Sequence, residues 1–164
     1  MAILGIRKYP DPILRRKAET LKEVTEADRQ LIGDMIETMK AAEGVGLAAN
    51  QVGVSKSIFV FNPSLDEWKS EALINPHIIR RRGRQISEEG CLSLPDISEK
   101  VRRPSYLLIE GLDINGKQYK FEAKGLLARI IQHEIDHLNG ILLISRVNPL
   151  RRIKALRQLR RASK

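Results

Sequence analysis

The segment that most constrains this chain is residues 132–137, Gln-His-Glu-Ile-Asp-His, within a largely apolar stretch. Apolar residues recur at helical intervals across this stretch, so we predict a buried helix from Gly125 to about Asn139. His133 and His137 are four residues apart, which places both imidazoles on one face of that helix, about one turn from each other. The chain therefore buries a helix whose two histidines can bind one metal ion.

Glu134 follows the first of these histidines and projects beside the pair. A water molecule on a divalent metal has a pKa lowered toward neutrality, and a carboxylate that is not itself a ligand can take and return its proton. This combination is typical of metal-assisted hydrolysis. The alternative is a solvated helix with incidental histidines, but two of the three histidines in the chain fall in this motif.

A catalytic metal site usually has three protein ligands, so one more is required. In the extended form of the motif the third histidine would stand at position 143, which is Leu143 here. His77 follows Asn-Pro in what we interpret as a polar, exposed turn. Cys91 lies in a turn-like Glu-Glu-Gly-Cys-Leu-Ser-Leu-Pro segment, and we predict it as the third ligand. One thiolate and two imidazoles leave a position for water.

Composition excludes several classes of protein. A single cysteine excludes an intrachain disulfide, and the longest aliphatic run, 141–144, is too short to span a bilayer. The N-terminal residues lack the apolar core of a signal peptide, so we expect a cytoplasmic protein. The net charge is +9, and residues 148–164 hold seven cations and no acid. The remainder is nearly balanced, so the C-terminal segment is the basic element.

The periodicity of the rest of the chain predicts an α+β fold with antiparallel-type strands. We predict a capped helix at 26–42, a glycine-rich loop at 44–53, and a strand at 57–61. We also predict a hairpin of strands 106–113 and 118–123, and a helix from Pro149. An apolar stripe is predicted along that last helix at Leu150, Ile153, Leu156 and Leu159.

Three segments together resemble the peptide deformylase family of bacteria. Residues 44–51 read Gly-Val-Gly-Leu-Ala-Ala-Asn-Gln, residues 89–93 read Glu-Gly-Cys-Leu-Ser, and residues 133–137 read His-Glu-Ile-Asp-His. Their order and separation also fit, and the resemblance runs from Tyr9 to about Val147. It implies antiparallel sheets packed around a central helix that carries His-Glu-x-x-His. It also implies a hydrolase of protein biosynthesis that removes the formyl group from N-formylmethionine of nascent polypeptides and releases formate.

The resemblance also implies a role for individual residues. Cys91, His133 and His137 would bind Fe(II), with Zn, Ni or Co as substitutes, and a metal-bound hydroxide would attack the formyl carbon with Glu134 as general acid/base. The backbone N–H of Leu92 and the side-chain amide of Gln51 would stabilise the oxyanion, while Gly44 and Gly46 would allow a close approach of the peptide backbone. The pocket for the methionine side chain would be lined by Val45, Gly46, Leu126, Ile130 and His133.

Two further predictions concern charged residues near the proposed metal site. A histidine that binds a metal usually donates its second N–H to a carboxylate or carbonyl. Three acids lie close enough to the ligands in sequence to accept this hydrogen bond: Glu88, Glu89 and Asp136. The resemblance further implies an ion pair between Glu43 and Arg103, which the residues alone would suggest are surface charges.

The resemblance implies a single catalytic domain at 1–147 and a basic C-terminal helix at 148–164 that contacts the ribosome near the exit tunnel. We also expect a monomer with no membrane association. Three alternatives are an internal peptidase, an RNA-binding protein with a structural metal, and a metal-free paralogue. The peptidase would usually need a His or Glu ligand after His137, and residues 138–164 contain neither. The RNA-binding protein would need a closed site with four ligands, for which only His77 remains.

Overall fold

The computed structural model describes residues 1–65 and 69–164, and the seven strands described there all lie between the first and the second of three α-helices. The helices are α1 (Glu26–Ala41), α2 (Gly125–Leu138) and α3 (Pro149–Ala162). The strands are β1 (Gly46–Ala48), β2 (Ile58–Phe61), β3 (Glu71–Arg82), β4 (Gln85–Cys91), β5 (Leu94–Arg103), β6 (Tyr106–Leu112) and β7 (Gln118–Lys124).

The strands form two antiparallel sheets around α2. One sheet has the order β1-β2-β3-β6-β7, and β4 and β5 form a separate pair. Helix α2 packs on β1, β2 and β7, where its apolar face joins the main core. That core is built from Phe59, Phe61, Leu73, Leu107, Ile109, Ala128 and Ile131. The predicted α+β class, with antiparallel sheets around a central helix, is confirmed.

Helix α1 begins where the capping signal predicts. The Thr25 hydroxyl accepts a hydrogen bond from the Asp28 N–H, and the Asp28 carboxylate accepts one from the Thr25 N–H. Lys56 Nζ lies 2.6 Å from the same buried carboxylate. Burial alone would raise the pKa of Asp28, but the bonds from Lys56 and Thr25 lower it overall.

The predicted hairpin is also present, as strands β6 and β7 paired from Tyr106–Lys124 to Leu112–Gln118. Gly116 sits in its turn with φ 77°, a conformation that favours glycine. Asp113 accepts hydrogen bonds from the backbone N–H groups of Asn115 and Lys117, which closes the turn.

Three segments differ from the sequence prediction. Residues 46–48 form edge strand β1 rather than loop, because Gly46 and its neighbours pair with Phe61 and the rest of β2. His77 is exposed as predicted, yet it lies in β3 opposite Glu110 rather than in a turn. The hairpin of β4 and β5 was not predicted, and it places Cys91 at the end of a strand.

Helix α3 begins at Pro149 as predicted, but the apolar stripe is only partly correct. Ala155 and Leu159 are buried against β5 and the segment before α3, whereas Leu150 is 80% exposed and Ile153 48% exposed. Helix α3 contacts the rest of the protein along a narrow face, so Leu150 and Ile153 remain largely exposed to solvent. Among the described residues, none of the helices has both the length and the apolar character that a membrane span needs.

Candidate metal centre

Three ligand atoms converge at the point where α2 passes the end of β4. His137 Nε2 lies 3.2 Å from Cys91 Sγ and 3.2 Å from His133 Nε2, and all three atoms lie within 4.8 Å of one another. Two nitrogens bound at about 2.1 Å to one tetrahedral ion would be about 3.4 Å apart, which is close to this spacing. The residues present therefore fit a single divalent metal ion.

The rings of the two histidines are oriented toward a shared point. His133 Nδ1 lies 3.0 Å from Glu89 Oε1, which leaves Nε2 directed at the other two ligand atoms. Burial lowers the pKa of His137 well below its usual value, so its imidazole is neutral, as a ligand must be. His77 lies outside this group, exposed on β3.

Of the three carboxylates considered as supports, the structure selects Glu89. Glu88 is exposed, and Asp136 binds arginines instead. Burial would raise the pKa of Glu89, but the hydrogen bonds from His133 and Arg103 hold it at about 2. The partner of His133 is thus a carboxylate that is ionised at neutral pH. Burial would lower the pKa of His133, but its hydrogen bonds with Cys91 and Glu89 raise it to about 10, so a metal ion must displace the proton on Nε2 to bind there.

Arg103 links the two buried acids. Its guanidinium donates two bonds to Glu89, at 2.7 and 2.8 Å, and one to Asp136 at 2.9 Å. The implied pair between Glu43 and Arg103 is therefore wrong, because Arg103 is only 4% exposed and faces these two carboxylates, while Glu43 is exposed. Arg146 also binds Asp136, through Nε at 3.0 Å and through a second nitrogen.

Sequence reasoning did not identify Arg129, a buried residue of α2 that also forms an ion pair with Glu89 and donates to the Val101 carbonyl at 3.0 Å. A signal was available, because Arg129 is four residues before His133 and so lies on the same face of the helix. Two arginines and a histidine consequently surround one carboxylate, which fixes Glu89 beneath the metal site.

Glu134 is 4% exposed and packs directly on Gly46. A Cβ at position 46 would lie only 2.5 Å from Glu134 Oε1, so this approach requires glycine. Oε2 of Glu134 is buried without a hydrogen-bond partner among the described residues. Burial raises the pKa of this carboxyl to about 7, which suits proton exchange near neutral pH.

Gln51 is held beside the cysteine by its own neighbours. Its side-chain oxygen accepts from the Ala48 N–H at 3.0 Å, so its amide nitrogen is turned the other way. That nitrogen donates to Ser93 Oγ at 3.1 Å and lies 3.8 Å from Cys91 Sγ. A neutral donor therefore stands next to the ligand set.

These groups open onto a cleft of about 450 Å³. All the residues named for the substrate pocket and the oxyanion line it, and they come from both walls: Val45, Gly46, Gln51, Leu92, Leu126, Ile130 and His133. Val45 and Leu126 are 44% and 51% exposed, so they are not core residues and instead form the rim of the cleft. Ile130 is 5% exposed. The cleft thus has a buried apolar wall beside the ligand atoms.

Comparisons with known proteins agree on one family. The family profile described as polypeptide deformylase matches residues 3–153. The peptide deformylase of Thermodesulfovibrio yellowstonii is 52% identical over 154 residues, covering 93% of each chain. That of Acidobacterium capsulatum is 47% identical over 163 residues, covering 98% of this chain and 96% of the relative.

Solved structures give the same result. A crystal structure of a peptide deformylase from Legionella pneumophila superposes with a TM-score of 0.93 at 40% identity, covering 99% of this chain and 96% of that one. The peptide deformylase from Ehrlichia chaffeensis in complex with actinonin gives a TM-score of 0.94 at 37% identity, covering 100% and 99%.

Proposed function

Since this chain belongs to the polypeptide deformylase family, we propose that it removes the formyl group from the N-terminal formylmethionine of nascent polypeptides and releases formate. Members of this family are hydrolases, and the chain is accordingly an enzyme. The observation that carries the proposal is a Cys-His-His ligand set beside a buried glutamate, at a cleft that Cys91, His133 and Glu134 line. The catalytic domain would comprise 1–147.

Cys91, His133 and His137 would hold one divalent ion. A thiolate with two imidazoles suits Fe(II), Zn, Ni or Co rather than the oxygen-seeking Mg and Ca, and we propose Fe(II) as the native ion. When bound, the ion acidifies a water molecule and polarises the formyl oxygen. The three residues orient it, and Glu89 keeps the ring of His133 in place.

Glu134 would be the general acid/base. Its buried carboxylate takes the proton of the attacking water and then delivers it to the departing amine nitrogen. A pKa near 7 allows both transfers at neutral pH, because neither protonation state is strongly favoured. Gly46 contributes by allowing the carboxylate to lie against the backbone of β1.

The oxyanion would be stabilised by two neutral donors. Gln51 Nε2 is already oriented beside Cys91, and the Leu92 backbone N–H directly follows the same ligand. Losing one such donor typically costs about 3 kcal/mol of transition-state stabilisation. Gln51→Ala should therefore lower kcat by about a hundredfold with little effect on KM.

The substrate would bind as an extended peptide. Strand β1 is at the edge of its sheet, so its outer side is free to pair with a peptide main chain. The methionine side chain would enter the apolar part of the cleft between Val45, Leu126 and Ile130, against the ring of His133.

The first experiment is deformylation of a formyl-Met tripeptide by protein purified without oxygen and loaded with Fe(II) or Ni(II). We expect turnover by the wild type and a loss of at least about a hundredfold in Glu134→Ala, with metal content unchanged. Glu23→Ala is the matched control, because this glutamate is exposed and outside the cleft. Full activity of Glu134→Ala, or no turnover by the metal-loaded wild type, would refute the mechanism.

The basic helix α3 would dock on the ribosome near the peptide exit, with the enzyme acting as a cytoplasmic monomer. Support comes from the seven cations and no acid in residues 148–164. Arg152, Arg157 and Arg160 are exposed, so changing all three to Gln should preserve the packing of α3. We expect this variant to bind ribosomes several-fold more weakly in co-sedimentation and to deformylate free peptides normally. Unchanged ribosome binding would refute the docking role.

A further inference from the structure

A second cavity lies on another face of the helix that carries the ligand histidines. It has a volume of about 390 Å³ and touches α2 at Gln132, Ile135 and Asp136 and its C-cap Asn139, whereas the catalytic cleft touches α2 at other positions. Four arginines line it, Arg81, Arg102, Arg103 and Arg146, against a single acid, Asp136. We call this cavity the arginine pocket.

The charges of the arginine pocket are not balanced within the protein. Arg103 and Arg146 both bind Asp136, and Arg103 also binds Glu89. Arg81 and Arg102 are exposed and form no ion pair with any residue in the ranges 1–65 and 69–164. They stand on different strands, β3 and β5, and meet at one concave surface. Two free guanidinium groups therefore face the same cavity.

We propose that the arginine pocket binds phosphate groups of an RNA backbone through Arg81 and Arg102. Guanidinium groups bind phosphate in a bidentate manner, and every cation that lines the pocket is an arginine. Both oxygens of Asp136 already accept hydrogen bonds from Arg103 and Arg146, so this acid is screened from an incoming anion.

The position of the pocket favours a polyanion over a single free anion. Arg146 is three residues before Pro149, so the pocket lies at most about 11 Å of chain from the start of α3. Seven cations in residues 148–164 follow without an acid. An RNA strand that contacts α3 can therefore continue into the arginine pocket, and its phosphates would bind the cations of both.

The test compares two double variants. Arg81→Gln with Arg102→Gln removes the free cations of the pocket and leaves Asp136 with its partners. Arg80→Gln with Arg82→Gln removes the same charge from the same region of β3, beside Tyr106 and outside the pocket. Binding of a labelled single-stranded 12-nucleotide RNA is followed by fluorescence anisotropy at three salt concentrations.

We expect the pocket variant to bind this RNA about tenfold more weakly, with a salt dependence reduced by about 1.4 units of slope for two lost phosphate contacts on a single strand, and the control to change less than about twofold. Equal losses in the two variants would overturn the proposal, because they would indicate general electrostatics. Inorganic phosphate and polyglutamate are added as competitors at a concentration of negative charge equal to that of the RNA phosphates. Displacement of the RNA from the wild type by either competitor would also overturn the proposal.

Deformylation of a free formyl-Met peptide serves as the second readout. Both double variants are expected to retain wild-type kcat and KM, because neither changes a residue of the cleft. The inference does not depend on the reaction proposed above, since RNA binding and peptide turnover are measured separately. A pocket variant that loses RNA affinity only together with its melting temperature and its turnover would show a folding defect and would overturn the assignment.

Discussion

Replacing Gly46 with alanine is expected to displace the Glu134 carboxylate, and the size of the effect follows from the contact between them. The added Cβ would lie 2.5 Å from Oε1, 2.9 Å from Cδ and 3.0 Å from Cγ of Glu134. An ordinary contact is about 3.5 Å, so the side chain must move by about 1 Å. In a buried site, such overpacking costs about 1–3 kcal/mol.

All three close atoms belong to the Glu134 side chain beyond its Cβ. In a Glu134→Ala background the clash is absent, and Gly46→Ala should be neutral or stabilising by up to about 1 kcal/mol, because alanine is more favourable than glycine in a strand. The double-mutant cycle should therefore give a coupling energy of about 2 kcal/mol.

The assay is urea unfolding of the four metal-loaded proteins at the same free metal concentration, since metal binding contributes to apparent stability. Gly5→Ala is the control, because nothing lies within 4 Å of its added Cβ. Gly46→Ala should also lose at least about a hundredfold in kcat with its metal retained. A coupling energy below about 0.5 kcal/mol, or normal turnover by Gly46→Ala, would contradict the packing argument.

Two other predictions concern stability. Because the pKa of Asp28 is lowered in the folded protein, its contribution is present above the ordinary aspartate pKa of about 3.9 and is lost as the pH falls further. Asp28→Asn should cost about 1 kcal/mol near neutral pH in urea unfolding, and the difference should shrink below about pH 4; a difference independent of pH would contradict this reasoning. Arg103→Met should cost about 3 kcal/mol, because Glu89 and Asp136 lose a buried partner, whereas the half-exposed Arg146→Met should cost about 1 kcal/mol. Equal losses in these two variants would show that burial of the guanidinium does not matter.

The elements that the sequence predicted well are those governed by local rules. The Thr25–Asp28 capping box begins α1, and the Asn-Gly turn closes the hairpin of β6 and β7. Strand β3 was missed, because its Asn-Pro dipeptide reads as a turn although the structure accommodates it at an irregularity between Ile74 and His77. The backbone hydrogen bonds of this strand come from pairing with β6, which lies too far along the chain to be inferred from the residues around Asn75.

The candidate site shows the same division. Four-residue spacing was enough to bring His133 and His137 together, while the identity of the supporting carboxylate depended on pairing between distant segments. Glu89 is buried because β4 pairs with β5 and faces α2, and that burial requires cationic partners. The predicted ion pair between Glu43 and Arg103 was wrong for this reason, because Arg103 binds the buried carboxylates of Glu89 and Asp136 instead.

By itself, the sequence determined the three helices, the capping box of α1, the hairpin, the spacing of the two histidines and the motifs of the family, because each depends on residues close together in the chain. Only the tertiary structure decided which atoms meet: Cys91 with both imidazoles, Glu134 against Gly46, and Arg81 with Arg102 in one cavity. Such contacts are set by strand register and helix packing, which depend on burying the apolar surface of the whole chain at once.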